Sequence, residues 1–410
     1  MRTVDLIYFN AGGGHRASAI ALEASIRAQG LPWRVRLVNL TQVLDPRDVF
    51  RKATGFAPED LYNGRLARGW TLGLAQELRL LQGMIRVGHR SITRALRRHW
   101  LATQPDMVVS LIPNFNRALY ESLDAALPGR PFVTIPTDFA DYPPNFWIER
   151  AQAQHFICGT TRLLEQARAA GYPEHLIHAT SGMIIGADFY RAVALDRQAE
   201  RSRLGLDPQR LTGMVLFGGQ GSSVMQTIAR QLPDTQLILA CGHNQALAQR
   251  LRRMNSSAPR VVVGFTQQLQ HYMQLSDFMI GKPGPGSISE AVQQRLPVIV
   301  VRNSWTMPQE RYNTQWVREN NAGLVLPGFR HLDQAVIEVA ARLEEFRASI
   351  AQQRNQAVFE IPEILAGILK AHQAQRGSPA VETAARPCGC VNLARAAGAV
   401  RTPLARTPAA

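Results

Sequence analysis

Apolar runs of strand length alternate with helical patterns along most of this chain. Residues 4–10 carry an apolar run, interrupted by Asp5, that predicts a strand. Residues 17–29 place Ala, Ile and Leu at helical spacing and predict a helix. Residues 33–39 predict a second strand and residues 107–112 a buried one. Residues 132–135 predict another, leading into Pro136-Thr137-Asp138, and 155–158 a short strand before a helix over 161–170. The second half starts again, with strand patterns at 214–217, 237–240, 261–263, 278–280 and 297–301 and helices between them. A long helical segment over 332–373 follows. Strands alternating with helices predict parallel sheets with right-handed crossovers. Two such units in tandem predict an α/β protein of two Rossmann-like domains facing a cleft.

The polar stretch between the two units sets the expected boundaries. Residues 1–190 form the first domain, 191–212 the linker and 213–350 the second domain, with a C-terminal helix over 351–375. From residue 376 to 410 the chain is Ala, Arg, Pro and Gly without periodicity, which predicts a disordered tail. A length of 410 residues and a hydrophobic fraction of 46% agree with two sizeable cores. The N-terminus does not read as a signal peptide, because Asp5 interrupts its first, strand-sized apolar run. No run reads as a membrane-spanning helix. Cys158 and Cys241 stand alone, and Cys388-Gly389-Cys390 falls in the expected tail without a His/Cys cluster. The expectation is a reduced, cytosolic protein with no disulfide framework and no metal site.

Charge adds a possible partner. The net charge is +15, which favours anionic partners, although an arginine-rich proteome would give the same balance. Its distribution is more informative. From Arg47 to Arg98 there are eleven Lys/Arg against four Asp/Glu, interleaved with Phe50, Phe56, Leu61, Trp70, Leu72 and Leu74. No nucleic-acid-binding signature accompanies them, so residues 47–101 are read as a basic patch that meets an anionic membrane surface.

Three turns carry candidate chemistry. In Gly281-Lys282-Pro283-Gly284-Pro285-Gly286-Ser287-Ile288-Ser289-Glu290, a strand ends, glycines and prolines bend the chain and a helix begins. The free N–H groups and positive dipole end of such a helix suit a phosphate. Lys282 can neutralise diphosphate charge or be an ordinary surface lysine. Asn10-Ala11-Gly12-Gly13-Gly14-His15 also joins a strand to a helix, and His15 has the ordinary pKa of a general base. Asp138 follows a strand, where a carboxylate points into the cleft or else makes an Asx-turn or a helix cap. Gly218-Gly219-Gln220-Gly221 forms a weaker turn of the same kind, and His243 reads as a solvated loop histidine. No Asp-x-Asp pair occurs anywhere, so a metal-dependent nucleotide-sugar site is not expected.

These stretches resemble the monogalactosyldiacylglycerol synthase-like GT-B glycosyltransferases, and more distantly the lipid II-forming N-acetylglucosaminyltransferases. The resemblance runs through the Gly-Gly-Gly-His loop, Val261-Val262-Val263-Gly264-Phe265-Thr266, the phosphate turn and Pro308-Gln309-Glu310-Arg311-Tyr312-Asn313. It implies a GT-B fold whose C-terminal helix crosses back to the first domain. It implies donor contacts from Gly219, Asn244, Phe265, Lys282, Gly286, Ser287, Ile288, Glu290, Gln309, Glu310 and Asn313. Acceptor contacts fall to Gly13, Gly14 and Trp147, and the base to His15 or Asp138, with Asp138 alternatively orienting His15. Pro308 stands where the family usually has glycine, which stiffens the loop and removes a donor N–H. The implied reaction moves a hexose from a UDP-hexose to a lipid acceptor such as diacylglycerol, with inversion and no cofactor. The expected place is the inner face of the cell membrane, peripherally attached, with no nucleic acid. A UDP-N-acetylglucosamine 2-epimerase-like enzyme and a non-catalytic nucleotide-sugar-binding protein share the architecture and remain the alternatives.

Overall fold

The computed structural model describes residues 1–10, 13–47, 52, 74–191 and 195–377. Phe50, Phe56, Leu61, Trp70, Leu72, Cys388 and Cys390 lie outside the described residues. In the first domain the described elements run β1 (Arg2–Tyr8), α1 (Gly14–Ala28), β2 (Trp33–Asn39), α2 (Leu40–Leu44), α3 (Leu74–Thr103), β3 (Met107–Ser110) and α4 (Asn116–Ala126). They continue with β4 (Phe132–Thr134), β5 (His155–Cys158), α5 (Thr161–Ala169) and β6 (Ile177–Ala179). After α6 (Arg197–Arg203) the second domain runs β7 (Thr212–Leu216), α7 (Val224–Gln231), β8 (Gln236–Ala240), α8 (Gln245–Arg252), β9 (Arg260–Val263) and α9 (Leu269–Gln274). Then come β10 (Phe278–Gly281), α10 (Pro285–Gln293), β11 (Val298–Val301), α11 (Arg311–Glu319) and β12 (Gly323–Leu326). The chain ends in α12 (Leu332–Ala341), α13 (Leu343–Ala351) and α14 (Ala357–Gly377).

Each domain holds a six-stranded sheet, in the orders β2-β1-β3-β4-β5-β6 and β12-β11-β10-β7-β8-β9, and every described pairing is parallel. These are the two Rossmann-like domains of a GT-B fold. The chain order reverses between β1 and β3 in the first sheet and between β7 and β10 in the second. Ligands of open α/β sheets bind where the loops leaving such strands part.

The polar residue in the first strand is satisfied across the sheet. Asp5 pairs in register with Arg36 on β2, whose Nη2 donates to its carboxylate at 2.8 Å. The expected linker over 191–212 is not a loose tether in full. Arg201 on α6 is buried and donates through Nη2 to Asp277 at 2.7 Å, and Arg197 reaches the same carboxylate at 2.7 Å. Burial works against that carboxylate, but these bonds and the Thr212 N–H win and hold its pKa below the ordinary range. A buried charge is tolerable only when paired in this way, so α6 is bolted to the second domain. The single helical segment expected over 332–373 is three helices. The last, α14, buries Val358, Ile361, Leu365 and Ile368 with Leu22 and Ile26 of α1, so it packs on the first domain.

Candidate active site

A cavity of about 590 Å³ lies between the domains at both reversal points. His15, Gly13, Gly14 and Asp138 line it from the first domain, and Gly219, Phe265, Lys282, Gly286, Ser287, Glu290, Gln309 and Glu310 from the second.

The first-domain wall is built round His15. Gly13 caps α1 at φ 83°, a left-handed conformation that suits glycine, and the chain turns there to present His15. His15 Nδ1 lies 2.8 Å from the Leu111 carbonyl, just past β3, and 3.1 Å from Thr137 Oγ1. A carbonyl only accepts, so Nδ1 carries the proton and Nε2 keeps the lone pair. Burial pushes the His15 pKa down to about 4 against the opposing pull of the Leu111 bond. The ring is therefore neutral at pH 7. Asp138 is not its orienting partner, since Leu111 and Thr137 hold the imidazole.

Asp138 is buried after β4 and accepts from Trp147 Nε1 at 3.0 Å. Burial pushes its pKa up to about 7, opposed by the Trp147 bond and Lys282 and reinforced by Glu310 and Asp141. Lys282 and Glu310 belong to the other domain, so Asp138 feels the opposite wall. Asp138 accepts no backbone N–H among the described residues; the nearby Asp141 instead accepts from the N–H groups of Asn145, Phe146 and Trp147 at 3.0, 2.9 and 2.6 Å and so braces the loop that carries Trp147.

The second-domain wall is a phosphate-type turn. Gly284 is the N-cap of α10, Pro285 follows at its first turn, and that turn carries no acidic side chain. Its leading N–H groups and positive dipole end therefore open on the cavity beside Gly286 and Ser287. Glu290 lies in the second turn of α10, and burial pushes its pKa up to about 8. Lys282 is no ordinary surface lysine, because its Nζ sits 2.7 Å from Glu310 Oε1 on the cavity wall.

Four expected contact residues stand elsewhere. Ile288 is fully buried in the core, because one residue along a helix turns it about 100° away from Ser287. Asn244 caps α8, its Oδ1 accepting from Leu247 N–H at 3.0 Å. Asn313 is buried and donates to the Pro283 carbonyl at 2.9 Å, which ties α11 to the phosphate turn. Trp147 is fully buried and serves Asp138. Ile288, Asn313 and Trp147 are buried behind the wall, whereas Asn244 is half-exposed at its edge.

Two features escaped the sequence reading. His243 is not a lone loop histidine: its ring stacks on Phe265 with centroids 4.0 Å apart and planes 18° apart. Phe265 is 60% exposed, so its other face is open to a ligand. The loops beneath are locked together, since His243 N–H donates to the Gly219 carbonyl at 2.9 Å and a Cβ on Gly242 would lie 2.1 Å from that oxygen. Residues 183–186 also line the cavity, and their apolar run carried no motif.

Comparison with known proteins decides the class. Residues 214–366 match the glycosyltransferase family 28 C-terminal domain. The second half is therefore a glycosyltransferase domain. The chain is 26% identical over 379 residues to the chloroplastic monogalactosyldiacylglycerol synthase of Spinacia oleracea, covering 88% of this chain and 71% of that one. Among solved structures it superposes on Acinetobacter baumannii MurG with a TM-score of 0.58 at 13% identity, covering 90% of this chain and 100% of that one. A structure from Listeria monocytogenes assigned as a UDP-N-acetylglucosamine 2-epimerase gives 0.55 at 14%, covering 92% and 98%. The two structures speak for the fold alone. Fold, domain and sequence likeness together place this glycosyltransferase in the GT-B class, with the monogalactosyldiacylglycerol synthases as relatives.

Proposed function

We propose that this glycosyltransferase moves a hexose from a UDP-sugar to a lipid hydroxyl at a membrane surface, with inversion. One observation carries the reading: a neutral imidazole and a pKa-raised carboxylate face a phosphate-type helix start across one cavity. The diphosphate lies at the start of α10, its charge met by the helix dipole and Lys282, and no cofactor is required. Glu290 holds the ribose, Phe265 covers the base, and Gln309 and Glu310 meet the sugar hydroxyls. The acceptor oxygen attacks the anomeric carbon, the bond from that carbon to the phosphate oxygen breaks, and UDP leaves with the electron pair. The acceptor proton passes to His15 Nε2 or to Asp138. The lipid class follows from the named activity of the plant relative. An epimerase would share the fold, but the sequence likeness is to the synthase.

Attachment to the membrane is peripheral on this reading. Among the described residues no helix is long and apolar enough to cross a membrane. Helix α3 exposes Arg86, Arg90, Arg94 and Arg97, and also Leu80, Met84 and Val87, the last 91% exposed. Each arginine near an anionic surface contributes about 1 kcal/mol. Neutralising all four should reduce sedimentation with anionic vesicles while leaving UDP binding intact, and equal sedimentation would make the stripe a solvated helix face. The reaction is tested by incubating the chain with labelled UDP-galactose, UDP-glucose or UDP-N-acetylglucosamine and diacylglycerol vesicles. A glycosylated lipid with free UDP supports the reading. An epimerised sugar with no glycolipid overturns it.

A further inference from the structure

Three neighbouring strands of the first sheet end at the cavity, and each delivers one part of a single constellation. Ile7 of β1, Ser110 of β3 and Thr134 of β4 lie in one row across the sheet. Backbone bonds carry the pairing one step further: Leu111 N–H donates to the Ile7 carbonyl at 3.0 Å and Ile135 N–H to the Ser110 carbonyl at 2.9 Å. His15 follows the first of these strands, Leu111 the second and Thr137 the third. We propose that Thr137 is a positioning residue for the transfer, its hydroxyl joining the Leu111 carbonyl to hold His15 Nδ1 so that Nε2 takes the acceptor proton. The role rests on the glycosyl transfer proposed above.

The chemistry turns on one N–H with two acceptors. The Leu111 carbonyl stands 2.8 Å from Nδ1 and Thr137 Oγ1 3.1 Å. When Nε2 takes the acceptor proton the ring becomes an imidazolium, and its Nδ1–H becomes a charged donor. Hydrogen bonds from a charged donor are shorter and stronger than neutral ones, so both acceptors stabilise the protonated ring more than the neutral one. In a Ser-His-Asp arrangement a buried carboxylate fills this place. Here neither ring nitrogen has a carboxylate partner among the described residues. Asp138, next in sequence to Thr137, accepts from Trp147 Nε1 at 3.0 Å instead. Two neutral oxygens therefore do the orienting.

Thr137 is the side-chain half of that pair, and so the half that substitution can remove. It lines the cavity, is half-buried, and its hydroxyl makes no other hydrogen bond among the described residues. Valine keeps the branched shape and lacks only the hydroxyl. Thr137→Val therefore leaves no buried group orphaned, because Nδ1–H retains the Leu111 carbonyl. A purely structural hydroxyl here would be lost with little consequence. A positioning hydroxyl would be missed only when His15 takes a proton.

The test is a double-mutant cycle on the full chain, with turnover followed on diacylglycerol vesicles and the labelled UDP-sugar that the wild type uses. Thr137→Val should lower kcat by about tenfold or more, the scale of a lost hydrogen bond to a charged group. The KM for the donor and the affinity for UDP should stay as they are, since the donor contacts belong to the second domain. Thr137→Ser, which restores the hydroxyl, should recover most of the rate. On a His15→Ala background Thr137→Val should cost nothing further, because the hydroxyl acts through that ring. Thermal melting checks that each variant folds. Wild-type kcat in Thr137→Val overturns the role, and so does an equal loss with and without His15, which would put the hydroxyl to work elsewhere. A loss that serine does not rescue overturns it too. A wild-type chain that binds UDP but transfers no sugar sinks the transfer reading, and this role with it.

Discussion

The turn after β1 and the turn after β10 both carry a glycine-rich chain from a parallel strand into a helix at the cavity rim, yet they are electrically different. The first ends in His15, held neutral by burial and bonded to a backbone carbonyl, with no acidic side chain in the first turn of α1. The second gathers Lys282, Glu310 and Glu290 round the start of α10. On the proposed function, one wall takes a proton and the other holds an anion. A shared backbone motif thus says where a ligand approaches, and the side chains round it say what chemistry occurs there.

The largest effect should come from the proton-handling wall. His15→Ala is expected to cut turnover roughly a hundredfold or more if Nε2 is the base. UDP affinity should barely move, because the donor contacts belong to the other domain. A variant that loses UDP binding and turnover together would erase the division between the walls.

The pH profile sharpens the same comparison. A base works in its deprotonated form. With Asp138, pushed up to about 7, activity is lost as pH falls through 7. With His15, pushed down to about 4, activity persists until pH falls through about 4. Asp138→Asn should remove an inflection near 7, and a profile flat well below 7 would leave His15 as the base.

On the anion-holding wall, Glu290 is protonated at pH 7 because burial pushes its pKa up to about 8. Ribose hydroxyls donating to its carboxylate favour the charged form, so UDP binding should release protons near neutral pH. Calorimetry in buffers of different ionisation enthalpy reads that release, and Glu290→Gln should abolish it. Glu290→Ala should weaken UDP by about 1–3 kcal/mol. Unchanged UDP affinity would remove Glu290 from the site.

Much of this was legible in the chain because it is written locally. Apolar runs of period and length suited to buried strands stand where the sheets are, and turn glycines mark where the cavity lies. What was hidden depends on long-range pairing or on helix rotation. Nothing near Arg201 in sequence announces that Asp277 will bury it and make part of a polar stretch a packed helix. Ile288 and Glu290 are two residues apart, but a helix sends one to the core and the other to the cleft. The Asn244 cap was readable in principle, since asparagine before a helix commonly fills that role. Trp147 and Asn313 were placed on the wrong side of the wall because burial behind a site and exposure within it look alike in one dimension.

The smallest expected effect concerns the base rather than the phosphates. The His243 ring supports Phe265 from beneath at 4.0 Å, while the loop linkage to Gly219 runs through the His243 backbone and survives any side chain there. His243→Ala should therefore free the Phe265 ring without moving the phosphate loop. Aromatic pairs are worth about 0.5–1.5 kcal/mol, so UDP affinity should fall by no more than that. Pyrophosphate, which has no base to stack, should bind as before. His243→Phe keeps a ring under Phe265 and should restore UDP affinity. If alanine weakens pyrophosphate as much as UDP, the histidine holds the phosphate loop itself, and the base and phosphate halves of this wall are one unit. If phenylalanine fails to rescue, the stack is incidental and Phe265 orients on its own.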